Sequence, residues 1–147
     1  MDLAPMGSTH SANPLVCAVG HANLQALLED GIIDDARRLG VQFHEELRAM
    51  QARHPDLISH VTGVGMVAAL ILSHPETGEP LPISTDVCIT CLQRGLLVVH
   101  TGRESLKLTP PLCISEAALL EGLAVLEQAL LDVVAGTAPL RPAAAAL

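Results

Sequence analysis

Residues 57–72, LISHVTGVGMVAALIL, decide the fold class of this chain. Two runs rich in aliphatic and β-branched residues flank the triplet GVG (63–65), and glycine adopts the positive φ that a tight turn requires. The pattern predicts a β-hairpin with strands near Leu57–Thr62 and Met66–Leu72. The segment that follows, SHPETGEPLP (73–82), is rich in proline and is typical of a surface loop.

Two helices are predicted before this hairpin. Asn13 and Pro14 are suited to the N-cap and the first position of the first helix, because an Asn side chain accepts backbone N–H bonds and proline has no amide N–H to leave unpaired. The first helix should run from Pro14 to about Glu29. The second should run from Ile33 to about Arg53, where apolar residues recur at steps of three and four and define one buried face: Ala36, Leu39, Phe43, Leu47 and Met50.

Another helix, two strands and a last helix are predicted after the hairpin. The short helix spans about Ser84–Arg94 and ends at Gly95. The strands, Leu96–His100 and Ser105–Leu108, are joined by the turn TGRE, and Ser115 caps the last helix. This order predicts an α+β fold: a small, mostly antiparallel sheet with helices packed on one face, preceded by a long helix.

Composition excludes several classes of function. The chain has 147 residues, which suits one domain, and half of them are apolar, but Phe43 is its single aromatic residue. A formal charge of −8 and the presence of only one aromatic side chain argue against nucleic acid as a partner. No apolar run approaches the roughly 20 residues that span a bilayer. The first residues do not resemble a signal peptide, so a cytoplasmic location is expected.

Most candidate reactive groups have a structural explanation. Cys88 and Cys91 have CxxC spacing, but they lie in a predicted helix without a second cysteine pair, which favours core residues over a redox or metal site. No two of the seven histidines have the i, i+4 spacing of a zinc-binding helix, and no glycine-rich phosphate loop is present. Arg103 and Lys107 are candidates for binding a carboxylate, with an exposed charged turn as the alternative.

The stretch GSTHSANPL (7–15) is the strongest candidate for a binding site. The amides and dipole at a helix N-terminus attract phosphate or carboxylate, and Ser8, Thr9 and Ser11 add hydroxyl groups. The alternative is that these residues only cap the helix.

Three stretches together resemble class III aminotransferases, which are pyridoxal-phosphate enzymes of fold type I. GSTHSANPLVCAVGHANLQAL (7–27) is similar to the family pattern G-x-T-[HYF]-[GS]-[GA]-N-P-[LI] before a long helix. VTGVGMVAALI (61–71) is similar to the strand pair RGxGLMxGxE. The segment 94–130, which contains SLKLTPPLCIS, is similar to the closing LRLxPPLxI region. The likeness covers about residues 6–134.

The resemblance implies a C-terminal third rather than a whole enzyme. The Schiff-base lysine lies upstream in the family, and Lys107, the one lysine here, does not occupy its context. Thr9 matches a threonine that binds the cofactor phosphate of the neighbouring subunit, and Ser8 matches an adjacent contact. The resemblance therefore implies a homodimer with shared active sites, and a structural role for Asn13 and Pro14.

Two positions depart from the family pattern. Lys107 stands where an arginine commonly binds the substrate carboxylate, and lysine acts as a point charge instead of a planar, two-pronged partner. Either Lys107 binds the anion less strictly or recognition has moved, for example to Arg103. Thr62 stands where an arginine often precedes the Gly-x-Gly turn.

The resemblance implies amino transfer from an amino acid or ω-amine to a keto acid or aldehyde, with pyridoxal 5′-phosphate as cofactor. It also implies that this fragment is inactive by itself. We expect residues 1–30 to be an interface segment with a linking helix, 31–135 a small α+β domain and 136–147 a disordered tail. Two alternatives remain: a non-catalytic binding or dimerisation module, and a fragment of a glutamate-semialdehyde-type aminomutase.

Overall fold

The computed structural model describes residues 11–138. The predicted order of helices and strands is confirmed. The elements are α1 (Pro14–Glu29), α2 (Ile32–Arg53), β1 (Ile58–Val64), β2 (Val67–Leu72), α3 (Ser84–Gln93), β3 (Val99–Thr101), β4 (Ser105–Leu108) and α4 (Glu116–Val134).

The strands form one antiparallel sheet in the order β1-β2-β4-β3, so two hairpins lie side by side with β2 and β4 at the centre. Alternate residues of the central strands are buried, as expected where one face of a sheet packs on a core: Ala68, Leu70, Leu72, Leu106 and Leu108. They join the apolar stripes of α2 and α4 in a single hydrophobic cluster. The predicted α+β fold is confirmed.

The helix ends follow the sequence signals. The Asn13 Oδ1 accepts the Leu15 N–H at 2.9 Å, and the Ser115 Oγ accepts the Ala118 N–H at 3.2 Å. Helix α3 ends in a left-handed residue, Gly95, and the Leu96 N–H then donates to the Cys91 carbonyl at 2.9 Å. Because Leu96 completes this helix end, strand β3 begins at Val99 instead of at the predicted Leu96.

The turn of the first hairpin differs from the prediction. Strand β1 continues through Val64, and the turn consists of Gly65 and Met66 instead of residues 63–65. Gly63 lies inside the strand with φ +121°, and a Cβ built on it would lie 2.1 Å from the Val67 carbonyl oxygen. The strands approach so closely that only glycine fits at this position.

Helix α1 precedes the other elements, and it buries no side chain. Only Ala26 and Leu27, near its junction with α2, are half-buried. Its large apolar side chains are exposed, Leu15 by 73%. At the other end of the chain, Thr137 and Ala138 donate backbone hydrogen bonds to the Asp132 carbonyl. The predicted disorder of the tail beyond them lies outside the described residues.

Candidate active-site segment

The predicted phosphate-binding residues, Ser8 and Thr9, lie outside the described residues. The structure does describe the helix start that follows them. Ala12 has a left-handed backbone (φ +59°) directly before the cap, and Asn13 then caps α1 with Pro14 in its first turn. Asn13 and Pro14 therefore have the structural role predicted for them.

Lys107 lies in the third position of β4, on the face of the sheet that points away from the helices. Its backbone pairs with Ala69 on one side and Val99 on the other. Lys107 also belongs to the lining of a cavity of about 430 Å³ between the β3 edge of the sheet, the β4–α4 connection and α4, while its side chain is exposed between the buried Leu106 and Leu108. The other lining residues are apolar or uncharged, and they include Leu97, Pro110 and Leu123. Lys107 is the single charged residue among those that line this largely apolar cavity.

Arg103 lies in the loop that joins β3 to β4, and its backbone is strained. Both Arg103 (φ +65°) and Glu104 (φ +50°) adopt the left-handed conformation, which costs roughly 1–2 kcal/mol for a residue with a Cβ. Arg103 does not line the Lys107 cavity. The structure therefore places the two candidate cations at different points of the second hairpin and does not bring them together.

Glu104 holds this loop in place, a role that sequence reasoning missed. Its carbonyl oxygen accepts the Leu72 N–H at 2.9 Å. Its Oε2 accepts the Ser84 N–H at 3.0 Å and the Ser84 hydroxyl at 2.5 Å, at the start of α3. These hydrogen bonds from Ser84 lower the pKa of Glu104. No local signal pointed to Glu104, because glutamate is not a residue that favours the left-handed region.

The cysteine pair is part of the packing, as predicted. Cys91 is fully buried, and desolvation raises the pKa of its thiol to about 11. Desolvation also raises the pKa of the half-buried Cys88. A thiolate is the reactive form of cysteine, so neither residue is suited to nucleophilic chemistry. In the described part of the chain no group of three or more His, Cys, Asp or Glu side chains is placed to hold a metal ion.

Comparison with known proteins decides the family. The family model for class III aminotransferases matches residues 1–130. The chain belongs to the class III aminotransferases. Pyridoxal phosphate is the cofactor of this family, and solved relatives include a PMP-bound aminotransferase and a PLP-bound aminotransferase mutant, both from Vibrio fluvialis. Within residues 11–138 no helix has the length and hydropathy needed to cross a membrane.

Individual relatives of this class III chain are named ornithine aminotransferases and acetylornithine aminotransferases. The chain is 37% identical to the mitochondrial ornithine aminotransferase of Oryza sativa subsp. japonica, over 78% of the chain's own length and 24% of the relative's. It is 38% identical to the ornithine aminotransferase of Bordetella pertussis over 74% of its length and 24% of the relative's. The chain therefore spans about a quarter of these relatives.

Comparison with solved structures agrees with the family that the sequence comparison shows. The PMP-bound Vibrio fluvialis enzyme superposes with a TM-score of 0.81 at 29% identity, covering 92% of this chain and 30% of that one. The acetylornithine aminotransferase of Elizabethkingia anophelis gives a TM-score of 0.74, also at 29% identity, over 90% and 33% of the two chains.

Proposed function

We propose that this chain is the C-terminal part of a pyridoxal-phosphate-dependent aminotransferase that transfers an amino group to a keto acid or aldehyde. The observation that carries the proposal is the match to the class III family over residues 1–130. The names of the relatives favour an ornithine-type ω-amine as the donor. When bound, the cofactor supplies the electron sink for amino transfer.

In this proposal the opening segment and the second hairpin have separate tasks. Ser8 and Thr9 donate hydrogen bonds to the cofactor phosphate of the partner subunit in a homodimer. Lys107 binds the substrate carboxylate, which its match to the family's carboxylate-binding arginine and its exposure on the outer face of the sheet support. Arg103 is the alternative carboxylate partner.

The chain by itself is proposed to be inactive. Lys107 is its only lysine, and the lining of the Lys107 cavity contains no carboxylate that could face a pyridine nitrogen. The described residues alone do not form a complete cofactor site, so we place the Schiff-base lysine in an upstream segment of a longer, cytoplasmic protein. Residues 1–30 then form the interface segment and linking helix, and residues 31–135 the small domain.

The test uses the purified 147-residue chain and a longer protein side by side. With pyridoxal phosphate, ornithine and 2-oxoglutarate, we expect no turnover by the chain and turnover when the upstream part is present. Turnover by the chain alone would overturn the proposal that it is inactive, and loss of that turnover in Lys107→Ala would assign the catalysis to its single lysine.

Inspection of the coding sequence upstream of Met1 separates the alternatives. An open frame that encodes a Schiff-base lysine supports the transaminase. Its absence supports a non-catalytic binding or dimerisation module. Isomerisation of glutamate semialdehyde without a keto-acid acceptor would indicate the aminomutase.

A further inference from the structure

Glu104, in the loop between β3 and β4, supplies the cap that helix α3 lacks in its own sequence. The residue before this helix, Ile83, has no side chain that can accept a hydrogen bond, and none of the local side chains caps α3. Instead, the Glu104 Oε2 accepts the Ser84 N–H at 3.0 Å and the Ser84 hydroxyl at 2.5 Å. The helix dipole also favours a carboxylate at this end. One side chain therefore joins the second hairpin to the first turn of α3.

The backbone of the loop has a conformation that its residues do not favour. Arg103 (φ +65°) and Glu104 (φ +50°) are consecutive left-handed residues with a Cβ, and such a pair persists only where other contacts hold it. The Arg103 side chain is exposed and makes no hydrogen bond or ion pair within residues 11–138, so it does not hold the loop. Glu104 does, through its carboxylate on Ser84 and through its carbonyl oxygen, which accepts the Leu72 N–H at 2.9 Å.

The start of the loop is closed independently of Glu104. The Ser105 hydroxyl donates to the Gly102 carbonyl at 3.0 Å and lies 2.5 Å from the Thr101 Oγ1. Ser105 is buried in β4, so these contacts belong to the end of the hairpin itself. The part of the loop that depends on the Ser84 contact is therefore limited to Arg103 and Glu104.

The carboxylate and carbonyl contacts of Glu104 should be lost together. A single neutral backbone hydrogen bond contributes less to stability than two consecutive left-handed residues cost. The bond from the Leu72 N–H cannot therefore hold Arg103 and Glu104 in this conformation when the carboxylate no longer binds Ser84. Loss of the side-chain contact on α3 should then reach the end of β2 through the backbone of the loop.

We propose that the Glu104 carboxylate is a latch between the second hairpin and α3, with a closed and an open state. In the closed state, which the structure describes, it holds Arg103 and Glu104 in the left-handed conformation. In the open state the carboxylate leaves Ser84, both loop residues take an ordinary backbone conformation, and the Leu72 hydrogen bond breaks at the same time. Opening moves Arg103 and uncaps α3, but leaves the hydrophobic core intact. The latch does not rest on the proposed amino-transfer role.

Hydrogen exchange of the backbone amides tests the latch, since the Ser84 and Leu72 amides each report one of its two contacts. The measurement uses NMR of the ¹⁵N-labelled 147-residue chain at neutral pH. In Glu104→Ala we expect both amides to exchange about tenfold faster or more, the loss expected for a charge-assisted hydrogen bond. The Leu70 amide, in the part of β2 that pairs with Leu106, should keep its protection.

Glu127→Ala is the matched control, because it also removes a carboxylate that accepts two hydrogen bonds, both from Arg53. Glu127 lies on α4 and does not contact the latch, so this variant measures a general loss of stability. We expect the Ser84 and Leu72 amides to change no more than the Leu70 amide in this control.

Two results would overturn the latch. Faster exchange at Ser84 alone in Glu104→Ala would mean that the carboxylate only caps α3. Equal acceleration at Ser84, Leu72 and Leu70 would mean that the variant only lowers global stability. Should Glu104→Ala fail to fold, Ser84→Ala decides, since it removes the hydroxyl donor and keeps the N–H. We expect it to speed exchange at Leu72 by a smaller factor, and an unchanged Leu72 amide would overturn the proposal.

Discussion

Thr62 and Lys107 lie in one cross-strand row of the sheet, with Ala69 between them. Thr62 pairs with Ala69, and Ala69 pairs with Lys107, so the two residues are two strands, or about 10 Å, apart on the same face. Both stand where the family resemblance predicts arginine. Val99 completes the row, and Lys107 is therefore its only cation. The two departures from the family pattern are neighbours in space although they are far apart in sequence.

Charge removal at Lys107 should weaken substrate binding in an active enzyme that contains this chain. We expect Lys107→Met to raise the KM for a carboxylate-bearing donor about tenfold or more, because a hydrogen bond to a charged group contributes about 1.5–3 kcal/mol. Lys107→Arg should keep or lower KM, since guanidinium binds a carboxylate in two places. Steady-state kinetics give both values. If Arg103→Gln raises KM and Lys107→Met does not, carboxylate recognition lies at Arg103.

Relief of backbone strain at Arg103 should stabilise the chain. Arg103→Gly removes the cost of a left-handed residue with a Cβ, and we expect the free energy of unfolding to rise by about 1 kcal/mol. Glu104→Gly relieves similar strain but also removes the carboxylate that accepts two hydrogen bonds from Ser84, so it should be destabilising. Urea denaturation followed by circular dichroism measures both, and equal effects of the two variants would contradict this account.

The two glycines of the first hairpin should respond differently to alanine. At Gly63 a Cβ would meet the Val67 carbonyl oxygen at 2.1 Å, so we expect Gly63→Ala to cost about 3 kcal/mol or more. At Gly65, which has φ +60° and no atom within 4 Å of an added Cβ, only backbone strain of about 1 kcal/mol is expected. Thermal denaturation of the matched pair tests the difference. Similar losses for both variants would show that the strands can move apart at Gly63.

Acid should weaken the contact between α2 and α4. The Glu127 carboxylate accepts hydrogen bonds from the Arg53 Nε and Nη2, both at 2.8 Å, and lies 2.7 Å from the His54 Nε2. The hydrogen bonds from Arg53, and then His54, lower the pKa of Glu127 below its usual 4.5. A carboxyl group with a lowered pKa in the folded state stabilises the fold above its usual pKa, and this contribution is lost as the pH falls through the lower value.

The Glu127→Gln variant isolates this effect. At neutral pH we expect it to lower the free energy of unfolding by about 1 kcal/mol and to make stability less dependent on pH below about 4.5. Glu121→Gln is the control, because Glu121 is an exposed α4 glutamate without an ion pair in the described part of the chain. Equal pH profiles for Glu127→Gln and the parent chain would contradict the assignment.

The sequence predicted the elements whose signals are local. Asn13, Ser115 and Gly95 mark helix ends through their own side chain or backbone freedom, and the structure confirms all three. The apolar residues of α2, at steps of three and four, likewise predicted its buried face. Such features need only the residues of one element.

Features that depend on contacts between elements were not predicted. The role of Gly63 arises from the approach of Val67 across the hairpin, and the role of Glu104 arises from Ser84, twenty residues away in the chain. The cavity lined by His44 of α2 and by residues 63–65 likewise forms only where the hairpin turn meets this helix. For the family site, the sequence singled out Arg103 and Lys107 as candidates for binding a carboxylate, but their separation on the second hairpin required the fold.

The exposure of α1 has a consequence for how the molecule opens. Since this helix buries no side chain, its opening exposes little apolar surface beyond Ala26 and Leu27 and leaves the sheet and α2 intact. In the 147-residue chain, α1 amides should therefore exchange with deuterated solvent far faster than those of α2 or β2, whose opening requires disruption of the core. We therefore expect the core of this chain and its first helix to unfold as two separate cooperative units.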